Sequence, residues 1–504
     1  MNIASSVDRA ARHFPAKEAL RFEDRSWTYA ELRAEVDRVA HGLVALGIGR
    51  GDRVALFLPN IPAFPIVYLA AQKVGAISVS VNTMLTAHEL EYVLEDSGAE
   101  TLFTVADLLP QLSGLVGDVL DPTRVVVCEG EADGFRSLEG LSDDESPFAC
   151  TELDRDDQAA VLYTSGTTGK QKGAVLSHGN VVSNTNATAH ALRVDPDDRL
   201  LLFLPLFHCF AQNFILNTAF VSAATVVLHR RFVPEVIVRS VREDAVTMFF
   251  GVPTVFIGLL NGNVPQEHVA GVRYFFSAAA TLPVEVAQRW HEVYGMPIFE
   301  GYGLTETSPF ATYNHEWQHR PGSVGTPIEM VEVCIVDTDD DPVAAGAWGE
   351  ILIKGPNVML GYWQRPGESA EALRGGWFHT GDIGYLDEDG FLFIVDRVKD
   401  MINLAGFKVW PREIEEVLYE HPAIAECAVV AMPDPVKGEL PRALIVVKDG
   451  HEVTSEALEE LCRERLATYK VPALFEVVSE LPKSATGKIL KRVLREQAPI
   501  AEPL

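Results

Sequence analysis

Apolar and polar positions follow two periods along this chain, and the switches between them mark its elements. Thr28 and Glu31 precede Val36, Val39, Leu43 and Leu46 at helical spacing, and Gly47 closes the run. The pattern predicts an amphipathic helix opened by a capping box. Short apolar runs at 54–58, 77–81 and 101–105 read as strands, and between the last two Thr86 and Glu89 cap a helix carrying Leu90, Val93 and Leu94. Such alternation predicts a parallel sheet covered by helices. It recurs from Ala223 to Phe276, whereas 332–355 is strand-rich with a turn at 339–342, which predicts an antiparallel β subdomain. The stretch from Leu200 to Leu228 is the most apolar, yet Pro205, His208, Gln212, Asn213 and Asn217 interrupt it. A lipid-facing helix would not carry them, so it reads as a strand, a loop and a buried helix.

Beyond Asp396 the texture changes to a helix at 413–420, strands at 427–432 and 443–448, a helix at 455–466 and a tail rich in Lys and Arg. At 504 residues the chain exceeds what one hydrophobic core organises. The expected fold is α/β: a large composite N-terminal domain over 1–396, with helix-covered parallel sheets plus a β subdomain, and a small α+β C-terminal domain over 397–504. A short hinge near 396–399 joins them.

Apolar residues at 47% and charged residues at 22% supply an ordinary globular core. The net charge of −29 repels phosphate backbones and anionic lipid, so neither nucleic acid nor a membrane surface is expected as a partner. Any polyanionic small ligand must meet a local basic site. The six cysteines lie far apart, without CxxC spacing or histidines at zinc-ligand intervals, and read as reduced thiols. The first residues lack the layout of a signal peptide, and Val7, Ala10 and Ala11 fit a short amphipathic helix. With no transmembrane segment predicted, the cytoplasm is the expected location.

Chemistry concentrates first in Tyr163 to Gly173, YTSGTTGKQKG, which follows the apolar run Ala159 to Leu162. Glycines let backbone N–H groups approach phosphate oxygens, hydroxyls add donors and lysines add charge. Alone, such a segment is more often a flexible turn, and Gly166 and Gly169 are too close for a Walker loop. Four further segments change that weighting: YGLTE at 302–306, WFHTGD at 377–382, DRVKDMINLAGFK at 396–408 and PKSATGKI at 482–489. Together and in this order the five closely resemble the motifs of the adenylate-forming superfamily of acyl-CoA synthetases, aryl-CoA ligases, luciferases and adenylation domains, and the likeness to fatty acyl-CoA synthetases is greatest.

That resemblance implies an ATP-dependent acid–thiol ligase using ATP, Mg2+ and coenzyme A. Thr164, Ser165, Gly166, Thr167, Thr168, Gly169 and Lys172 would grip the phosphates. Thr305 and Glu306 would meet the phosphates and the metal, for which Glu306 is the expected ligand. Ala278, Ala279, Glu300, Gly301, Tyr302 and Gly303 would surround the adenine, and Asp382 and Arg397 the ribose. Lys488 would stabilise charge at the α-phosphate, and His208 would sit at the mouth of an acyl pocket walled by Phe207, Asn213, Phe310 and Thr312. The C-terminal domain would be mobile. It would turn about Lys399, withdraw Lys488 and bring Gly406, Phe407 and Lys408 toward a pantetheine tunnel.

Two departures are visible: Gln171 where the family usually has proline, and lysine at the hinge where many synthetases have aspartate. Neither removes a group the reaction needs. No arginine stands beside the pocket segments, so the expected acid is an apolar monocarboxylic acid, a medium- or long-chain fatty acid before an aryl acid. A carrier-protein thiol as acceptor, or a catalytically dead binding protein, are the competing readings. The partners expected are small molecules, and a homodimer is compatible with the family.

Overall fold

The computed structural model describes residues 1–164 and 171–498. Among these, two large sheets form the N-terminal part. In one, Ile298–Gly303, Tyr274–Ser277, Met248–Gly251, Arg199–Leu202, Thr225–Leu228 and Glu18–Phe22 run parallel as neighbours. In the other, Gln158–Thr164, Ile77–Ser80, Arg53–Leu56, Thr101–Thr104 and Val125–Val127 do the same. Ile77–Ser80, Thr101–Thr104, Thr225–Leu228 and Met248–Gly251 are buried at every position, as expected where helices cover both faces. Both capping boxes form: the Thr28 and Thr86 hydroxyls accept from the Glu31 and Glu89 backbones, whose carboxylates reach back.

A third, antiparallel sheet holds Glu332–Val336, Gly349–Lys354, Phe378–Leu386 and Leu392–Arg397, the β subdomain expected from the turn pattern. After Arg397 the chain forms a fourth sheet around the long hairpin Ile424–Asp434 and Gly438–Val447, with helices Pro411–Tyr419 and Ser455–Arg465. Its core is a separate cluster that includes Ile414, Leu418, Val429, Ile445 and Leu458. No described helix is long and apolar enough to cross a membrane.

The stretch expected as strand, loop and buried helix is Arg199–Leu202, a loop through His208, and a buried helical segment ending at Val221. Its first part, Phe210–Leu216, is π-helical. Single-turn π geometry is uncommon and concentrates at functional sites.

Candidate active site

Two strand ends and one bulge build the centre. The strand Ile298–Gly303 leaves the parallel sheet and enters the short 3-10 turn Thr305–Thr307, which places Glu306 where it is 8% exposed. On the β subdomain, Ile383 faces Glu350 and His379 faces Leu352, so Thr380, Gly381 and Asp382 stand opposite Ile351 alone. The composition of HTGD at 379–382 suggests a turn with Asp382 at its end. Asp382 lies instead inside the continuous strand Phe378–Leu386, at this bulge, where Gly381 has φ +69°. A bulge re-aims side chains, and Asp382 is turned inward to 3% exposure.

There the Tyr302 hydroxyl donates to Asp382 Oδ2 at 2.6 Å, and Arg397 Nε lies 2.9 Å from Asp382 Oδ1. Tyr302, Asp382 and Arg397 thus form one unit across two sheets. The Asp382 charge holds the Arg397 guanidinium above its usual range, and burial drives the Tyr302 hydroxyl well up. Glu306 Oε1 accepts from the Tyr362 hydroxyl at 3.0 Å, and burial raises its carboxyl. The Thr305 hydroxyl accepts from the Cys209 thiol at 3.6 Å. Glu306 and Thr305 therefore offer adjacent hard oxygens, a donor set suited to a magnesium ion, and a divalent charge there would offset the burial that disfavours the carboxylate.

Lys488 comes from the far end of the chain. Its loop closes on itself through Ser484 N to Lys488 O and Leu490 N to Pro482 O, both 2.8 Å. It enters the cleft against Val252 and Thr254: a Cβ on Gly487, whose φ is +80°, would stand 3.0 Å from Thr254 Oγ1 and Val252 Cγ2. The Arg397 charge and then burial lower the Lys488 ammonium to about 7, against the opposing pull of Asp382 and Asp400. Burial, followed by the Lys488 charge, lowers His208 to about 4. The Phe210 amide donates to His208 Nδ1 at 3.2 Å, so the neutral ring keeps its proton on Nε2. Residues 208, 382, 397 and 488 are thereby brought into one electrostatic neighbourhood.

Ala278 and Ala279 follow the strand Tyr274–Ser277, and Ala279 holds φ +69°, a strained conformation for a residue with a side chain. Glu300 pairs with Ser277 across the sheet, and burial lifts its carboxyl to about 8. A Cβ on Gly301 would lie 2.6 Å from Phe276 and 2.8 Å from Phe310, and one on Gly303 would run into the Pro309 carbonyl. Of the phosphate loop, Ser165, Gly166, Thr167, Thr168 and Gly169 lie outside the described residues. At its edges the Thr164 hydroxyl donates to the Lys172 carbonyl at 3.4 Å, while the Lys172 ammonium pairs with Glu368 and stands 5.2 Å over the Tyr362 ring.

Behind His208, Phe310 is 2% exposed and packs on Phe214 at 4.3 Å, Phe276 at 5.3 Å and Phe210 at 5.5 Å between centroids. Phe207 is half-buried; Asn213 is buried and accepts from Thr185, and Thr312 is fully buried and donates to the Val324 carbonyl. Gly406, Phe407 and Lys408 are exposed on the hairpin Ile402–Leu404/Phe407–Val409, where Phe407 stacks on Tyr469 at 4.9 Å within the C-terminal part. Burial lowers the Lys399 ammonium beside them in sequence. Sequence reading missed Tyr362, Cys209 and the Phe210/Phe214/Phe276 rings; only the GYW run at 361–363, between the second and third strands of the β subdomain, could have flagged Tyr362. Asp340, Glu350 and His379 also converge, but Arg374 pairs with Asp340 at 3.0 and 3.1 Å, which makes this a salt-bridge network.

The profile of the AMP-binding enzyme matches residues 7–363, and that of the AMP-binding enzyme C-terminal domain matches 413–488. The chain is 36% identical to a long-chain-fatty-acid CoA ligase of Bacillus subtilis, over 97% of this chain and 93% of that protein. It is 37% identical to a feruloyl-CoA synthase of Amycolatopsis sp, over 97% of each. Among solved structures, ATP-bound MatB from Rhodopseudomonas palustris superposes with a TM-score of 0.91 at 32% identity, covering 98% of this chain and 99% of that one.

Proposed function

The chain belongs to the AMP-binding enzyme family, and from that premise we propose that it is an AMP-forming acyl-CoA synthetase acting on an apolar monocarboxylic acid. The observation that carries this reading is the placement of Lys488 beside the Tyr302–Asp382–Arg397 unit and His208, with the Glu306 oxygens in the turn that follows the strand of Tyr302. Asp382 accepts from the ribose hydroxyls, Arg397 neutralises it and faces the phosphates, and Lys488 meets the α-phosphate. A carboxylate oxygen bonds to the α-phosphorus as the bond to the bridging oxygen breaks, and pyrophosphate leaves with that electron pair. The Lys488 ammonium offsets the charge that develops. Neutral His208 donates from Nε2 to the incoming carboxylate without adding charge. Glu306 and Thr305 would hold a magnesium ion, which would supply charge neutralisation on the phosphates.

In the second half-reaction the thiolate of coenzyme A attacks the acyl carbonyl and AMP departs. This step requires Lys488 to vacate the cleft, and a turn at Lys399, between domains 1–396 and 397–504, provides it. The names of the relatives, a fatty-acid ligase and a feruloyl-CoA synthase, support an apolar acid without separating chain from ring. Incubation with ATP, magnesium and a panel of acids, with and without coenzyme A, tests the reading by AMP and pyrophosphate release. AMP release that never yields an acyl-CoA would move the acceptor to a carrier-protein thiol.

The aromatic wall sets an expectation for that panel. Each methylene buried in an apolar pocket contributes about 0.8 kcal/mol, roughly fourfold in kcat/KM. Activity should therefore climb along the saturated acids until the chain meets Phe214 and Phe310, then fall. Phe310→Ala should carry the optimum to longer acids. Malonate should be poor, because its second carboxylate would be desolvated without a partner. A profile that peaks at malonate or acetate, or one that Phe310→Ala leaves in place, would refute this pocket.

A further inference from the structure

The short helix Lys491–Glu496 begins three residues after Lys488, and it is fixed at several points. Lys491 Nζ lies 2.8 Å from Glu415 Oε1 on the helix Pro411–Tyr419, and Glu415 also accepts from the Val429 amide at 2.7 Å. Leu494, 1% exposed, fills a small core with Ala428, Val430, Leu444 and Leu481. Arg442, itself paired with Glu476 inside the domain, donates to the Gln497 carbonyl at 2.8 Å. The remaining anchor reaches across 95 residues of sequence: Arg495 donates to Asp400, the residue next to Lys399. The Asp400 side chain is 14% exposed and that of Arg495 27%, so the pair is shielded from water and weakly screened by salt.

We propose that Asp400 and Arg495 are positioning residues for adenylate formation, their ion pair making the Lys491–Glu496 helix a strut that ties Lys488 to the hinge. The inference rests on the function proposed above. A lysine carried on a loose tail would sample many positions, and a displacement of about 1 Å can cost on the order of a hundredfold in rate. The strut removes that freedom: Lys488 enters and leaves the cleft only with the turn at Lys399. Asp400 has a second effect. The groups whose charges reach Lys488 are Arg397 and Asp382 on the β subdomain, Lys399 and Asp400 at the hinge, and His208 on the pocket side. Asp400 is one of the two carboxylates favouring the ammonium, so neutralising it lowers the pH at which Lys488 loses its proton.

The two effects separate in Asp400→Asn and Arg495→Leu. Acyl-AMP formation from ATP and acid, conversion of supplied acyl-AMP to acyl-CoA, and the pH dependence of kcat/KM for the first step are measured on the full chain. Both variants should lose roughly tenfold to a hundredfold in acyl-AMP formation and convert supplied acyl-AMP at near wild-type rates. The alkaline limb of the first step should move to lower pH in Asp400→Asn and stay near that of wild type in Arg495→Leu. The double variant should be no worse than the weaker single, since both changes remove one interaction. Arg495→Lys, which keeps the charge, should recover much of the rate, and guards against a variant that merely misfolds. Equal loss in both half-reactions, additive single effects, or an unmoved limb in Asp400→Asn overturns the strut. A wild-type enzyme that forms no acyl-AMP from any acid would instead overturn the proposed function.

Discussion

Lys488→Ala should lose acyl-AMP formation by about a hundredfold to a thousandfold, the usual cost of removing one preorganised group that stabilises transition-state charge, and still turn supplied acyl-AMP into acyl-CoA. The loop that carries Lys488 is closed by its own hydrogen bonds and enters against Thr254, so the alanine variant keeps the backbone arrangement. What disappears is the ammonium. Its ionisation gives the expectation a pH signature. Arg397 and burial hold the folded-state value near 7, so the ammonium is present below that pH and lost above it. For wild type, kcat/KM of the first step should fall about tenfold per unit above pH 7, while the second step rises with ionisation of the thiol. A wild-type first step that rises steadily through pH 9, or a variant that loses both half-reactions alike, would remove Lys488 from the role proposed for it.

Much of this arrangement was legible in the sequence, and the rest was not for identifiable reasons. Capping boxes are local, so Thr28/Glu31 and Thr86/Glu89 announced their helices. The parallel sheets followed from apolar four-residue runs separated by helices. By contrast, Asp382 read as a turn residue, because HTGD carries turn composition and a bulge opposite Ile351 depends on a partner strand about 30 residues away. Tyr362 gave no signal beyond an aromatic after glycine; its bond to Glu306 spans 56 residues. Asp400 lies in the motif at 396–408 and Arg495 in the basic tail, with nothing in the sequence to relate them, and only the folded chain pairs them. The expectation for Phe310 and Asn213 as pocket walls rested on the family resemblance around His208. Their close packing turns attention from a wide tunnel to the rings that bound it.

Asp382 is the position where binding and stability are most tightly joined, and two substitutions pull them apart. Asp382→Ala removes the acceptor of the Tyr302 hydroxyl and the partner of Arg397 together. The buried hydroxyl loses that acceptor and keeps only Thr380, and an unmade buried bond costs about 1–3 kcal/mol. Arg397 is more than a third exposed, so water recovers part of its loss and the total stays below the roughly 3–5 kcal/mol of breaking a fully buried pair. Asp382→Asn keeps an oxygen for Tyr302 and loses only the charge, so it should melt nearer wild type than the alanine variant. Both variants should bind ATP much more weakly, because a neutral amide accepts from two ribose hydroxyls less strongly than a carboxylate and leaves the Arg397 charge uncompensated. Tyr302→Phe is the control: it frees one Asp382 oxygen without touching the charge, and should raise the KM for ATP less than either change at 382. Thermal melts and ATP titrations on the three variants decide the assignment. Wild-type ATP affinity in Asp382→Asn would show that the carboxylate serves the fold alone and that the ribose is held elsewhere.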